Sequence, residues 1–137
     1  MALRLEGRNH KAPLILAEVS GHIPFNRRMD SMSVTEIFPT ELRKLLPPLH
    51  SQEGVRDPIV HLKFRTTDSN WIWYVTEGSP EGNDFVFFGF VIGLDNEWGE
   101  FSLSELAEAR GPFGRPIERD LHFRPGRFSR VIVRENR

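Results

Sequence analysis

The sequence predicts an α+β fold: an antiparallel meander of about four strands flanked by short helices. Three observations lead to it. Residues 59–65 alternate apolar and polar side chains, the period-two pattern of a half-buried strand. Two later runs, Trp71–Thr76 and Phe85–Leu94, are apolar on both faces and are separated by turn-forming residues. Ser102 and Glu105 then stand at capping-box spacing ahead of Leu103, Leu106 and Ala107.

From the N-terminus, residues 1–36 read as an extension. Arg4, Arg8, Arg27 and Arg28 are scattered among Gly7, Pro13, Gly21 and Pro24 without sustained periodicity. Two readings stand side by side: an edge strand at Pro13–Val19, or a loosely attached 1–31 with Met32 as an alternative start. Asn9, His10, Pro13 and Glu18 break up the apolar run Ala12–Val19 too much for a signal peptide. Residues 37–124 are expected to form one α+β domain, followed by an Arg-rich tail at 125–137.

Within the domain, Thr40 is expected to cap a helix over Glu41–Leu46, with Leu42, Leu45 and Leu46 on one side. Pro47-Pro48 stops it, because proline brings no amide donor and restricts the residue before it. After a polar loop at 51–57, Val60, Leu62 and Phe64 face one way along a strand. Ile59, His61, Lys63 and Arg65 face the other, giving a basic outer stripe. Thr67–Asn70 and Glu77–Asp84 are turns, since Asp, Asn, Ser and Gly accommodate them. Asp95-Asn96 leads into a strand around Trp98–Phe101. The Ser102 helix ends at Gly111-Pro112. Beyond it, Ile117–Phe123 and Arg130–Val133 read as further extended pieces.

Charge is unevenly distributed. Residues 66–108 hold nine acidic side chains and no Lys or Arg, together with all three Trp, the Tyr and five of eleven Phe. Residues 1–65 carry ten basic against seven acidic groups, and 109–137 eight against three. The net charge of −1 conceals this separation. There is no Cys, which removes disulfides, thiolate metal sites and cysteine nucleophiles and agrees with a cytoplasmic setting. No apolar run approaches the roughly 18 residues of a membrane span, so no membrane association is expected.

The segments Leu46-Pro-Pro-Leu49, Asp57-Pro-Ile-Val60, Ser69-Asn-Trp-Ile-Trp-Tyr74 and Thr76-Glu-Gly78 resemble an uncharacterised bacterial family, a domain of unknown function (DUF2958). So do Phe87-Phe-Gly89, Glu97-Trp-Gly99, Phe101-Ser-Leu-Ser-Glu-Leu106 and Pro116-Ile-Glu-Arg-Asp120. The resemblance covers about Ile37 to Arg124. It implies an accessory or defence-related role on a mobile genetic element, and it brings no catalytic residues with it.

The residues alone name no reaction. The five His are far apart, with no pair at ligand spacing, so no metal site or cofactor is expected. No nucleophile elbow or phosphate-cradling glycine loop occurs. Three readings follow. In the first, the acidic, aromatic meander binds a macromolecular partner, a protein with a basic surface. In the second, nucleic acid is bound by the Arg-rich tail and the His61/Lys63/Arg65 stripe. Trp71, Trp73 and Tyr74 would serve as stacking platforms if exposed, but the nine acids of their segment repel phosphate and favour a place in the core. In the third, Glu77 anchors a carboxylate-based active site.

Overall fold

A computed structural model describes residues 37–136. In chain order the elements are α1 (Thr40–Arg43), β1 (Ile59–Val60), β2 (Leu62–Arg65), β3 (Ile72–Glu81), β4 (Asp84–Ile92) and β5 (Asn96–Ser102). They are followed by α2 (Leu103–Glu108), β6 (Glu118–Arg119), β7 (Gly126–Arg127) and α3 (Phe128–Glu135). Strands β5-β4-β3-β2-β6 form an antiparallel sheet in that order, and β1 pairs with β7 in a separate two-stranded ribbon. The α+β meander expected from the sequence is β2 to β5. The expected strand at Pro13–Val19 and the alternative start at Met32 lie outside the described residues.

Apolar residues on both faces of β3 and β4 require cover on both sides, and the fold supplies it. On one face Phe64, Trp71, Trp73, Val75, Phe85, Phe87 and Val91 pack with Ile37, Phe38, Leu46 and the α2 residues Leu103 and Leu106. On the other, Tyr74, Phe88 and Trp98 pack with Val60 and with Phe128 and Val131 of α3. The capping box is present: Glu105 N–H donates to Ser102 Oγ, and Ser102 N–H to Glu105 Oε1.

A bulge in β3 decides where Glu77 goes. Val75 pairs with Gly89 but Glu77 with Phe88, leaving Thr76 as the extra residue. Thr76 Oγ1 donates to the Phe88 carbonyl, 3.1 Å away. One additional residue flips every later side chain to the opposite face. Glu77 therefore leaves the side of Trp71, Trp73 and Val75 and joins that of Phe88. Opposite the bulge only glycine fits: a Cβ on Gly89 would lie 1.8 Å from the Tyr74 carbonyl oxygen.

Four sequence expectations are corrected. The first helix is shorter: Thr40 is its first residue rather than its cap, and Leu45 is 60% exposed. Val60 does not share a face with Leu62 and Phe64, because the chain turns at His61 between β1 and β2. Residues 130–133 are helical, since Phe128, Val131 and Ile132 recur at helical spacing against the second core. Finally, the Arg-rich stretch from 125 is no appendage over its described length. Its β7 pairs with β1, and its helix closes one face of the sheet.

Candidate interaction surface

The aromatic residues weighed as a stacking platform are core. Trp71, Trp73 and Tyr74 are 4%, 1% and 1% exposed, and none presents a ring face to solvent. Their strand is central, so both of its faces are covered. The platform alternative is thereby excluded.

The basic stripe is also not an outer one. Lys63 pairs with Tyr74 in the sheet and so lies on the face that α3 covers. Its Nζ meets Glu135 Oε1 at 2.5 Å and Asp120 Oδ2 at 3.6 Å. It also sits 5.9 Å from the Tyr74 ring centroid. The Tyr74 hydroxyl donates to the same Glu135 oxygen at 3.4 Å. Burial and the adjacent Glu135 charge push the Tyr74 hydroxyl well above the ordinary tyrosine range. Arg65 is half exposed and 3.9 Å from Glu118. His61 is half-buried, and desolvation lowers its pKa from the usual 6.5. Lys63 and Tyr74 are thus brought together, but as part of an internal ion-pair network rather than a cationic surface.

Glu77 is fully buried and serves the backbone. Its Oε1 accepts from the His50 amide and its Oε2 from the Gln52 amide, each at 2.7 Å. Around it, Ser79 Oγ accepts from the Leu49 amide, and the Gln52 side chain bridges Ile59 and Thr76. His50 itself has φ of 75°, the left-handed conformation this turn demands. The carboxylate organises a loop that would otherwise leave several amides unsatisfied.

The acids of the meander gather where the β3–β4 turn meets the start of α2. There a groove of about 530 Å³ is lined by Glu81, Asp84, Glu100 and Glu105 over Val86 and Phe101. Two of these acids have local work. Asp84 accepts from Ser104 N–H and Ser104 Oγ, and Glu105 belongs to the capping box. Burial alone would raise the Asp84 pKa. Hydrogen bonds from Ser104 and the Phe85 amide outweigh it and hold the carboxyl below its usual range. Among the described residues, no cluster of three or more His, Asp or Glu has metal-binding geometry, and no helix is long and apolar enough to cross a membrane.

Sequence reasoning missed the most exposed large apolar side chain among the described residues, Phe113, at 83%. It tips a hairpin closed by a bridge between Arg110 and Pro116. The Gly111 amide donates to the Arg115 carbonyl at 2.9 Å, and the Gly114 amide to the Gly111 carbonyl at 3.0 Å. Gly114, at φ of 88°, supplies the turn's left-handed residue. From the β2–β3 turn, Asp68 Oδ2 accepts the amides of Phe113 at 3.0 Å and Arg115 at 3.3 Å. Arg115 Nε donates to Thr67 Oγ1, and the buried Arg110 donates to the carbonyls of Ala107 and Ala109. A visible signal existed in the sequence: one aromatic residue isolated inside Arg110-Gly-Pro-Phe-Gly-Arg-Pro116.

A second exposed apolar residue lies at the same end of the sheet. The register pairs Arg65 with both Ile72 and Glu118, and Ile72 with Ile92. The turns after β2 and β4 and the segment before β6 therefore share one end. Leu94, in the turn after β4, is 80% exposed. Its neighbour Gly93 packs on Trp71 so closely that a Cβ would come within 2.4 Å of the ring. Phe113 and Leu94 thus stand out from tightly supported turns, flanked by exposed Arg115 and Asp95.

The chain belongs to the family described as a protein of unknown function (DUF2958), whose model matches residues 37–133. The match takes in β7 and most of α3, in keeping with their place in the core. No curated protein and no solved structure is significantly similar.

Proposed function

We propose that this DUF2958 family member is a non-catalytic binding domain that docks on a protein partner through the Phe113 end of its sheet. One observation carries the reading: an 83% exposed phenylalanine on a loop whose backbone is fixed by Asp68. A flexible loop would lose ordering entropy on binding, whereas a loop ordered beforehand does not. Burying one Phe in a partner's pocket contributes roughly 2–3 kcal/mol. Leu94 adds apolar area, and Arg115 and Asp95 provide a rim of mixed sign, an arrangement typical of protein interfaces.

The carboxylate-enzyme reading loses its support, since both Glu77 oxygens are bonded to loop amides. The proposed setting is cytoplasmic, as an accessory or defence-related component of a mobile element. That part rests on the family resemblance and the absence of cysteine.

The test is affinity capture from the host, with Phe113→Ala run in parallel. The variant should melt at the parental temperature yet lose a partner that the parent retains. Equal recovery of every captured protein by parent and variant would exclude this surface.

A further inference from the structure

We propose that the outer face of α3, with the turns beside it, is a second binding surface: an arginine ridge that takes the phosphate backbone of nucleic acid. Arg130 and Arg134, four residues apart, share one face of α3, and Arg127 immediately precedes the helix. The opposite face holds Phe128 and Val131 in the core, so the arginines are turned outward. Arg56 and Arg124 flank them. Arg56, Arg124, Arg127 and Arg130 are exposed.

Two of these side chains are held in place. Arg127 Nη1 donates to the Asp57 carbonyl at 3.1 Å. Arg134 Nη2 donates to the Arg124 carbonyl at 2.8 Å while its guanidinium lies 5.3 Å from the Phe123 ring centroid. Arg56, Arg124 and Arg130 make no ion pair among the described residues. The nearby carboxylates each hold other donors, although Asp57 also lies close enough to Arg127 and Arg130 to interact with their charge. Asp57 caps α3, accepting Ser129 N–H at 2.9 Å and Ser129 Oγ–H at 2.7 Å. Glu135 directs Oε1 inward to Lys63, with Oε2 3.6 Å from Arg134 Nε. Glu53, in the preceding loop, pairs with His50.

The chemistry favours phosphate over an acidic protein. The ridge offers planar donor forks suited to phosphate oxygens, and on α3 itself the exposed large apolar side chain is Val133. A protein interface would be expected to have an apolar centre. From Arg130 to Arg134 the helix rises about 6 Å and Arg127 extends the ridge at its start, enough to meet several phosphates of a backbone carrying one charge per roughly 1.7 Å of duplex axis. No aromatic ring on this face is free to stack on a base: Phe128 is core and Phe123 lies beneath Arg134. Contacts therefore reach phosphates alone, and binding is independent of sequence. These observations involve neither Phe113 nor its loop, so this surface and the docking end stand or fall separately.

The test is fluorescence anisotropy of the full chain with a labelled DNA oligonucleotide, single-stranded and duplex, between 50 and 200 mM salt. The expected dependence of log affinity on log salt has a slope of about −2 to −3, one phosphate per engaged arginine. Arg127→Gln with Arg130→Gln should weaken binding about tenfold at low salt and flatten the slope by roughly two. Arg127→Lys with Arg130→Lys should keep most of the affinity, and both pairs should melt like the parent. Three results would each overturn the proposal: no binding, a glutamine pair that binds with parental affinity and slope, or displacement of DNA by polyglutamate at equal charge concentration.

Discussion

The carboxylate of Asp68, in the turn between β2 and β3, accepts the backbone amide of Phe113, 45 residues further along the chain. This bond ties Phe113, the most exposed large apolar side chain among the described residues, to the turn after β2. Asp57, at the other end of the 59–65 run, does a similar job for α3 through Ser129. Each of the two aspartates fixes one proposed binding surface.

Replacing Asp68 with Ala removes the acceptor for two amides while leaving Phe113 exposed. Urea denaturation should show a loss of about 1–2 kcal/mol. Partner capture should fall by more than that loss of stability explains, because the loop is no longer ordered before binding. Gly111→Ala should behave similarly, since its Cβ would lie 1.7 Å from Asp68 Oδ1.

Glu77→Gln puts an amide group against one of two backbone N–H donors in a fully buried site. A donor facing a donor without water is costly, and a loss of roughly 2–4 kcal/mol is expected. Hydrogen exchange should speed up first at the His50 and Gln52 amides. Unchanged protection there would mean that Glu77 does not organise the loop.

At Gly89 any side chain collides with backbone: its Cβ would be 1.8 Å from the Tyr74 carbonyl oxygen and 3.0 Å from Val75 Cα. Gly89→Ala should destabilise by about 3 kcal/mol or more and give little soluble protein. A near-parental melting temperature would show that the bulge in β3 can relax.

His61 should make stability pH-dependent. Desolvation lowers its folded pKa below 6.5, so the unfolded chain takes up the proton first. The contribution is complete above pH 6.5 and is lost as pH falls through the folded value. Asp57 and Asp84, both shifted below the usual carboxylate range, act only at more acidic pH. Melting temperatures taken from pH 7 to pH 5 should decline for the parent and stay flatter for His61→Gln.

The elements that the sequence revealed are those specified by neighbours in the chain. Alternation between Leu62 and Arg65, apolar character on both faces of Trp71–Val75 and Phe85–Val91, and the Ser102–Glu105 box all act within a few residues. Period and capping chemistry therefore suffice to read them. The C-terminal helix escaped this reading because Arg, Pro and Gly around Phe128 and Val131 obscured a short apolar face.

Charge and aromatic patterns were the poorest guides to the surface, because exposure depends on what packs on top. Lys63 reads as a surface cation until Glu135 and Asp120 arrive from beyond residue 119 to pair with it. Trp71 and Trp73 read as platform candidates until segments from both sides cover them. Glu77 changes face through a single bulge residue, Thr76, which no periodicity announces.

By itself, then, the sequence determined the α+β class, the meander and the Ser102 helix, because these follow from local periodicity and capping. Tertiary structure decided which groups remain exposed: Phe113 on its Asp68-held hairpin, and the arginines of α3 around Asp57. The physical reason is separation along the chain. The bonds that set these exposures join residues 45 and 72 positions apart, a distance over which side-chain identity constrains nothing until the chain has folded.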